Sequence, residues 1–95
     1  MRETLEYATW IIRLRDHRAK ARISHRIDRL AMGNPGDVKP VGEGVSELRI
    51  DYGPGYRVYF VRDGAVVIVL LCGGDKRTQS KDIEQAKALA RTLKE

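Results

Sequence analysis

Arg49, Arg57 and Lys76 are the residues of this chain whose type and placement could do chemistry. All three fall in one strongly patterned stretch, Glu47–Lys76, which reads ELRIDYGPGYRVYFVRDGAVVIVLLCGGDK. Two guanidinium groups and an ammonium gathered on one sheet face can bind phosphate. Held rigid and partly dry, they can also stabilise charge that develops on a phosphorane-like transition state. RNA supplies its own nucleophile, the 2′-hydroxyl, so such a site needs only positioning, cationic stabilisation and proton transfer. The alternative is a set of solvated surface arginines, with Asp51 and Arg57 as a cross-strand ion pair.

Other chemistries find less support. The two histidines, His17 and His25, fall on a helical segment without the carboxylate or histidine spacing of a metal site. Cys72 lies in an apolar run with no histidine near it, so it reads as an inert buried thiol, and Ser46 and Ser80 sit in no nucleophile context. Gly73-Gly74-Asp75-Lys76 lacks the Ser/Thr and the spacing of a phosphate-binding loop. No metal and no cofactor is expected.

The elements that must position the cations follow from the breakers. Glu47–Lys76 is divided by Gly53-Pro54-Gly55 and by Asp63-Gly64, which predicts a three-strand antiparallel meander. Leu48, Ile50 and Tyr52 alternate with polar residues, as do Tyr56, Val58 and Phe60. Residues paired across the hairpin must share the core face, so the loop must hold an odd number of residues. A Gly53–Gly55 loop fits, with Gly55 left-handed; Tyr52 then opposes Tyr56, Ile50 opposes Val58 and Leu48 opposes Phe60. On the other face Asp51 opposes Arg57 and Arg49 opposes Tyr59, which makes Arg49 and Arg57 diagonal neighbours. A two-residue Asp63-Gly64 turn pairs Phe60 with Val67 and Val58 with Val69. The third strand, Ala65–Cys72, is apolar on both faces, which suits burial from two sides, and its end brings Lys76 to the Gly-Pro-Gly end beside Arg57.

The rest reads as helical cover. Tyr7, Trp10, Ile11 and Leu14 mark one face of a first helix, and Asp16 can cap a second that runs to about Met32. Ala19, Ile23, Ile27 and Leu30 form the second helix's apolar stripe, opposite Arg18, Lys20, Arg22, Arg26 and Arg29. Gly33-Asn34-Pro35 ends it, and Asn34–Gly44 reads as a loop. Gln79–Lys94 is a last helix with Ile83, Ala86, Leu89, Ala90 and Leu93 as its stripe. The expected fold class is α+β: a two-helix N-terminal unit packed on a twisted, mostly antiparallel sheet, then a C-terminal helix, in a single domain spanning residues 1–95.

The 95 residues carry 18 Lys+Arg against 13 Asp+Glu, a net charge of +5, which favours a polyanionic partner without demanding one. A single cysteine excludes an intrachain disulfide. No apolar h-region follows Met1, and the longest apolar run, Ala65–Cys72, is too short to span a bilayer, so a cytoplasmic protein is expected.

The segments GNPGDVKPVGEGVSELRIDYGPGYRVYF and LLCGGDKRTQSKDIEQA give the chain, over about residues 7 to 90, a family resemblance. It resembles the RelE/ParE superfamily of bacterial toxins, in particular the HigB-like addiction module killer branch of type II toxin–antitoxin systems. The resemblance implies a compact fold of two helices on a twisted antiparallel sheet. It also implies ribosome-dependent cleavage of mRNA by 2′-hydroxyl attack, leaving a cyclic phosphate and a free 5′-hydroxyl. On this pattern Arg49 orients the RNA, Arg57 is the central catalytic arginine and Lys76 is the second phosphate-stabilising cation. Lys39, Tyr59, Arg77 and Gln79 are the further residues expected to contact RNA or its phosphates. The chain departs from the pattern after Lys76, where Gln79-Ser80-Lys81-Asp82 holds no histidine or aromatic residue; Lys76 and Asp82 are the candidates for proton transfer. It departs also at the start, where only Met1–Glu6 are available for the first strand. The implied partners are an antitoxin of helix-turn-helix type, in a possible higher-order complex, and mRNA on the ribosome. The competing functions are a ParE-like inhibitor of DNA gyrase and a catalytically degenerate module that binds only antitoxin or RNA.

Overall fold

The structure, a computed structural model, describes residues 1–64 and 67–93. In chain order these form β1 (Arg2–Glu3), α1 (Leu5–Arg13), α2 (His17–Ala31), β2 (Val38–Gly42), β3 (Val45–Ile50), β4 (Tyr56–Asp63) and β5 (Val67–Asp75). A 3₁₀ turn over Lys76–Thr78 then leads into α3 (Gln79–Leu93). The strands make one five-stranded sheet in the order β1-β5-β4-β3-β2, antiparallel except where β1 runs parallel to β5. The α+β class is as expected. No helix among the described residues is long and apolar enough to cross a membrane.

Each face of the sheet has its own cover. The α1–α2 pair packs Tyr7, Ala19, Ile23 and Leu30 against Leu48, Ile50, Val58, Phe60 and Leu70. On the opposite face α3 sets Ala86 and Ala90 against Val45, Tyr59, Val69, Leu71 and Cys72. This is why β5 is apolar on both faces: it lies between two helical layers. Thr4 ties the layers to the sheet. Its hydroxyl caps α1 by accepting from the Tyr7 N–H at 3.0 Å and donates to the Leu71 carbonyl, while its N–H donates to Leu70 O at 3.0 Å. Asp16 caps α2 as expected, accepting from the N–H groups of Arg18 and Ala19.

Several expectations are corrected. The presumed loop Asn34–Gly44 contains β2, which forms a tight hairpin with β3 through Glu43-Gly44, both with positive φ (54° and 80°). Pro40 is tolerated because β2 is the sheet edge, where a missing N–H costs no ladder bond. The β3–β4 register is shifted by two: Ile50 pairs with Tyr56, Leu48 with Val58 and Ser46 with Phe60, so the loop spans Asp51–Gly55. The core-face rule admits either odd loop length. The longer one wins with Tyr52 drawn out of the ladder to pack beneath the Arg22 guanidinium, 4.6 Å from the ring centroid. Asp51 therefore leaves the sheet and is exposed, and Arg57 faces Arg49 instead of Asp51.

The β4–β5 pairing also differs. Asp63 pairs with Val67 and Phe60 with Leu70; Gly64 begins the connection, while Ala65 and Val66 lie outside the described residues. The register then shifts between Tyr59 and Phe60, so Tyr59 pairs with Cys72 and Val58 with Gly73. A run that is apolar on both faces carries no alternation to signal such a bulge. The strand continues to Asp75, beyond the expected end at Cys72. The end expected for the last helix, Lys94, falls outside the described residues.

Candidate functional site

The α3 side of β3 and β4 carries four polar side chains in a block. Glu47 pairs with Tyr59 and Arg49 with Arg57, and paired residues share a face. Glu47 is fully buried. Its Oε2 accepts from the Tyr59 hydroxyl at 3.0 Å and from Gln79 Nε2 at 2.8 Å. Its Oε1 lies 3.7 Å from Arg49 Nε and 3.9 Å from Arg57 Nε, too far for hydrogen bonds. Those three atoms are buried and none has a hydrogen-bond partner. The Glu47 carboxylate thus lies close to both guanidinium groups while leaving their Nε donors without a hydrogen-bond partner. The Arg57 side chain is 9 % exposed and that of Arg49 is 37 %.

These two arginines open into a recess of about 370 Å³, floored by Gly53-Pro54-Gly55 and bordered by Lys76, Asp37 and Asp51. Local structure sets Lys76 there. Asp75 caps the 3₁₀ turn: its carboxylate accepts from the Arg77 N–H at 2.8 Å and from Arg77 Nη2 at 3.0 Å. The Arg77 hydrogen bond holds the Asp75 carboxyl below the usual carboxylate range. Lys76, the first residue of the turn, is exposed, and no ion pair among the described residues engages it. Beyond the loop, Arg26 of α2 donates to the carbonyls of Arg49 (2.6 Å) and Pro35 (3.0 Å), and Arg49 N–H donates to Asp37 O (3.0 Å). The backbone that carries Arg49 is therefore held from both sides.

The bulge in β5 places Gly73 opposite Val58 and Gly74 opposite Arg57. A Cβ at Gly73 would lie 2.3 Å from Trp10, and one at Gly74 would lie 1.8 Å from Asp82 Oδ2. Gly74 thus gives the buried Asp82 carboxylate its space, next to Arg57 on the same face. Thr78 Oγ1 donates to that carboxylate. Burial pushes the Asp82 carboxyl up from its ordinary value, against the Thr78 hydrogen bond that lowers it.

The structure brings Arg49, Arg57 and Lys76 to one recess. The other expected site residues are distributed differently. Tyr59 has no exposed surface and cannot contact RNA; its hydroxyl, kept protonated by burial and by the Glu47 carboxylate, holds Glu47. Gln79 spends its amide on Glu47. Arg77 is exposed and paired with Asp75. Lys39 lies exposed on edge strand β2, opposite Glu47. Asp82 is beneath Gly74 and does not line the recess. Cys72 is buried, its thiol pushed up to about 12 by desolvation, and it donates to Asp82 O at 3.6 Å. Among the described residues no three of His, Cys, Asp and Glu are grouped as a metal ion would need.

Glu47 and Arg26 were missed by sequence reasoning. Glu47 carries a signal nonetheless: the apolar stripe of α3 must cover some sheet face, and Glu47 lies on the one that remains.

Comparison with known proteins places this geometry in a family context. A family model described as "Phage derived protein Gp49-like (DUF891)" matches residues 11–95. An uncharacterized protein of Haemophilus influenzae is 54 % identical over 93 residues, covering 98 % of this chain and 94 % of that protein. No solved structure matches the chain. The family match overturns the RelE/ParE and HigB resemblance: the matching model is the Gp49-like one. The segments that suggested it describe strand cations set between glycine turns, a geometry that separate families can share.

Proposed function

The chain belongs to the phage-derived Gp49-like protein family, and from that premise we propose that it is an endoribonuclease with a toxin's action on messenger RNA. The observation that carries this reading is the convergence of Arg49, Arg57 and Lys76 on one recess above the buried Glu47 carboxylate. Arg57, nearly dry, is placed to meet the equatorial oxygens of a phosphate whose charge grows in the transition state. Lys76 adds an exposed cation from the turn, and Arg49, more exposed than Arg57, orients the strand. The 2′-oxygen attacks the adjacent phosphorus, the bond from phosphorus to the 5′-oxygen breaks, and the departing 5′-oxygen takes a proton from water in the open recess, so that the products are a cyclic phosphate and a 5′-hydroxyl. The rim carboxylates Asp37 and Asp51 are the groups placed to take the 2′-hydroxyl proton, since Asp82 is outside the recess lining.

The same reading includes mRNA on the ribosome as the substrate and a neutralising antitoxin as the partner, tested by co-purification from cells that express both genes. The decisive experiment maps RNA 5′ ends after induction of wild type and of Arg57→Ala. New 5′-hydroxyl ends in the wild type alone are expected, and phasing of those ends with codons places the reaction on the ribosome. Growth arrest without new RNA ends would sink the endonuclease reading.

A further inference from the structure

A second hollow adjoins the recess, between α2 and the end of β3. It has a volume near 660 Å³ and is lined by Arg18, Arg22, His25 and Arg26 together with Ile50 and Asp51. Ile50 and Asp51 also line the recess, so the two hollows meet where β3 ends. Arg18, Arg22 and His25 follow at four- and three-residue intervals, which sets them on one face of α2. All three are exposed. Arg26 is already engaged with the Arg49 and Pro35 carbonyls and fixes the boundary between the hollows. The Arg22 guanidinium lies 4.6 Å from the centroid of the Tyr52 ring, a flat cationic platform at the junction. Cations along a groove, with a planar group for base stacking, are the features that grip single-stranded nucleic acid.

We propose that this α2 groove binds the continuation of the RNA strand whose scissile phosphate lies in the recess. The inference rests on the RNA reading of the recess and extends it. Arg18 and His25 contact phosphates, and a base stacks on the Arg22–Tyr52 platform. Asp51 stands at the junction of the two hollows, where the strand passes from one to the other. The groove thereby sets how many nucleotides the protein holds.

The test measures fluorescence anisotropy of the full chain with fluorescein-labelled 2′-O-methyl uridine octamer and trimer, over a range of salt. The R18Q/R22Q double variant is expected to bind the octamer at least about tenfold more weakly, since it loses the Arg18 charge-assisted contact and the Arg22 face of the stacking platform. Its log–log salt slope should be shallower by about 0.7, the single-strand value for the one phosphate contact that Arg18 makes. Binding of the trimer should be unchanged. R13Q/R15Q removes the same charge from exposed positions that do not line the groove and should change octamer affinity less than about threefold, since a general charge effect without direct contact is screened by salt. Unchanged octamer binding and slope in R18Q/R22Q would overturn the proposal, as would an equal loss in R13Q/R15Q. Arg57→Ala reads the recess separately: trimer affinity equal to wild type would overturn the RNA reading of the recess, while the octamer comparison still decides the groove.

Discussion

A carboxylate without solvent contact, placed under two guanidinium groups, holds them from below, and Glu47 is that carboxylate. Glu47→Gln keeps an acceptor for Tyr59 but removes the counter-charge of Arg49 and Arg57. We expect a loss of about 1–3 kcal/mol of stability, the scale of a disturbed buried polar network. Turnover on RNA should fall more than affinity, because the site becomes more cationic while its arginines lose their anchor. A variant with wild-type turnover would rule out this positioning role. Asp82 gives a second, pH-dependent expectation. Burial raises its carboxyl above the ordinary 3.8, so the folded state holds the proton more tightly than the unfolded chain. The associated stability is fully present below the ordinary value and is lost as pH rises through the raised one. Asp82→Asn removes that titration, so its melting temperature should gain on wild type from acid toward neutral pH. A difference that does not vary with pH would refute it. Neither role is written in residue type alone: a Glu in a strand and an Asp in a helix's first turn both read as solvated until the covering element is placed.

At the scale of elements, β5 joins the core to the recess through its bulge. The shift beside Tyr59 and Phe60 turns Gly73 toward Trp10 and Gly74 toward Asp82. A one-residue slip without it would exchange these faces. Gly74→Ala drives a methyl group into the Asp82 carboxylate and is expected to destabilise by about 1–3 kcal/mol, the usual scale of overpacking. In a double-mutant cycle with Asp82→Ala, most of that cost should vanish, since the clashing group is gone. Additive effects by urea denaturation would show that the clash is relieved elsewhere. The helices, the Asp16 cap of α2 and the existence of the meander were legible because periodicity and breaker residues act locally, whereas the caps made by Thr4 and Asp75 were not read. The registers were not. Core-face parity permits loops of either three or five residues, and the stretch Val67–Cys72 offers apolar residues to both faces, so nothing in its pattern marks the bulge. The meeting of Arg49, Arg57 and Lys76 survived both errors because each pairing change kept their strand ends together.

At the scale of the molecule, two cores share one sheet. Among the described residues the α1–α2 pair and α3 pack on opposite faces of β4 and β5 without a core common to both. The sheet is the mechanical link between them, and in a chain of 95 residues the two layers are expected to unfold as one unit. Trp10 makes this measurable, because it belongs to the α1–α2 side, against Gly73 and 6.4 Å from the Tyr56 ring. Leu71 is fully buried on the α3 side. Leu71→Ala should cost about 2–5 kcal/mol, the range for a large-to-small change in a packed core. If the sheet couples the layers, Trp10 fluorescence, which senses the opposite face, will show the full shift in urea midpoint. Far-UV circular dichroism will then give the same midpoint. A Trp10 transition left in place while the dichroism midpoint falls would mean that α3 detaches by itself. The recess would then lose Gln79 and the cover over Glu47 before the rest of the fold gives way.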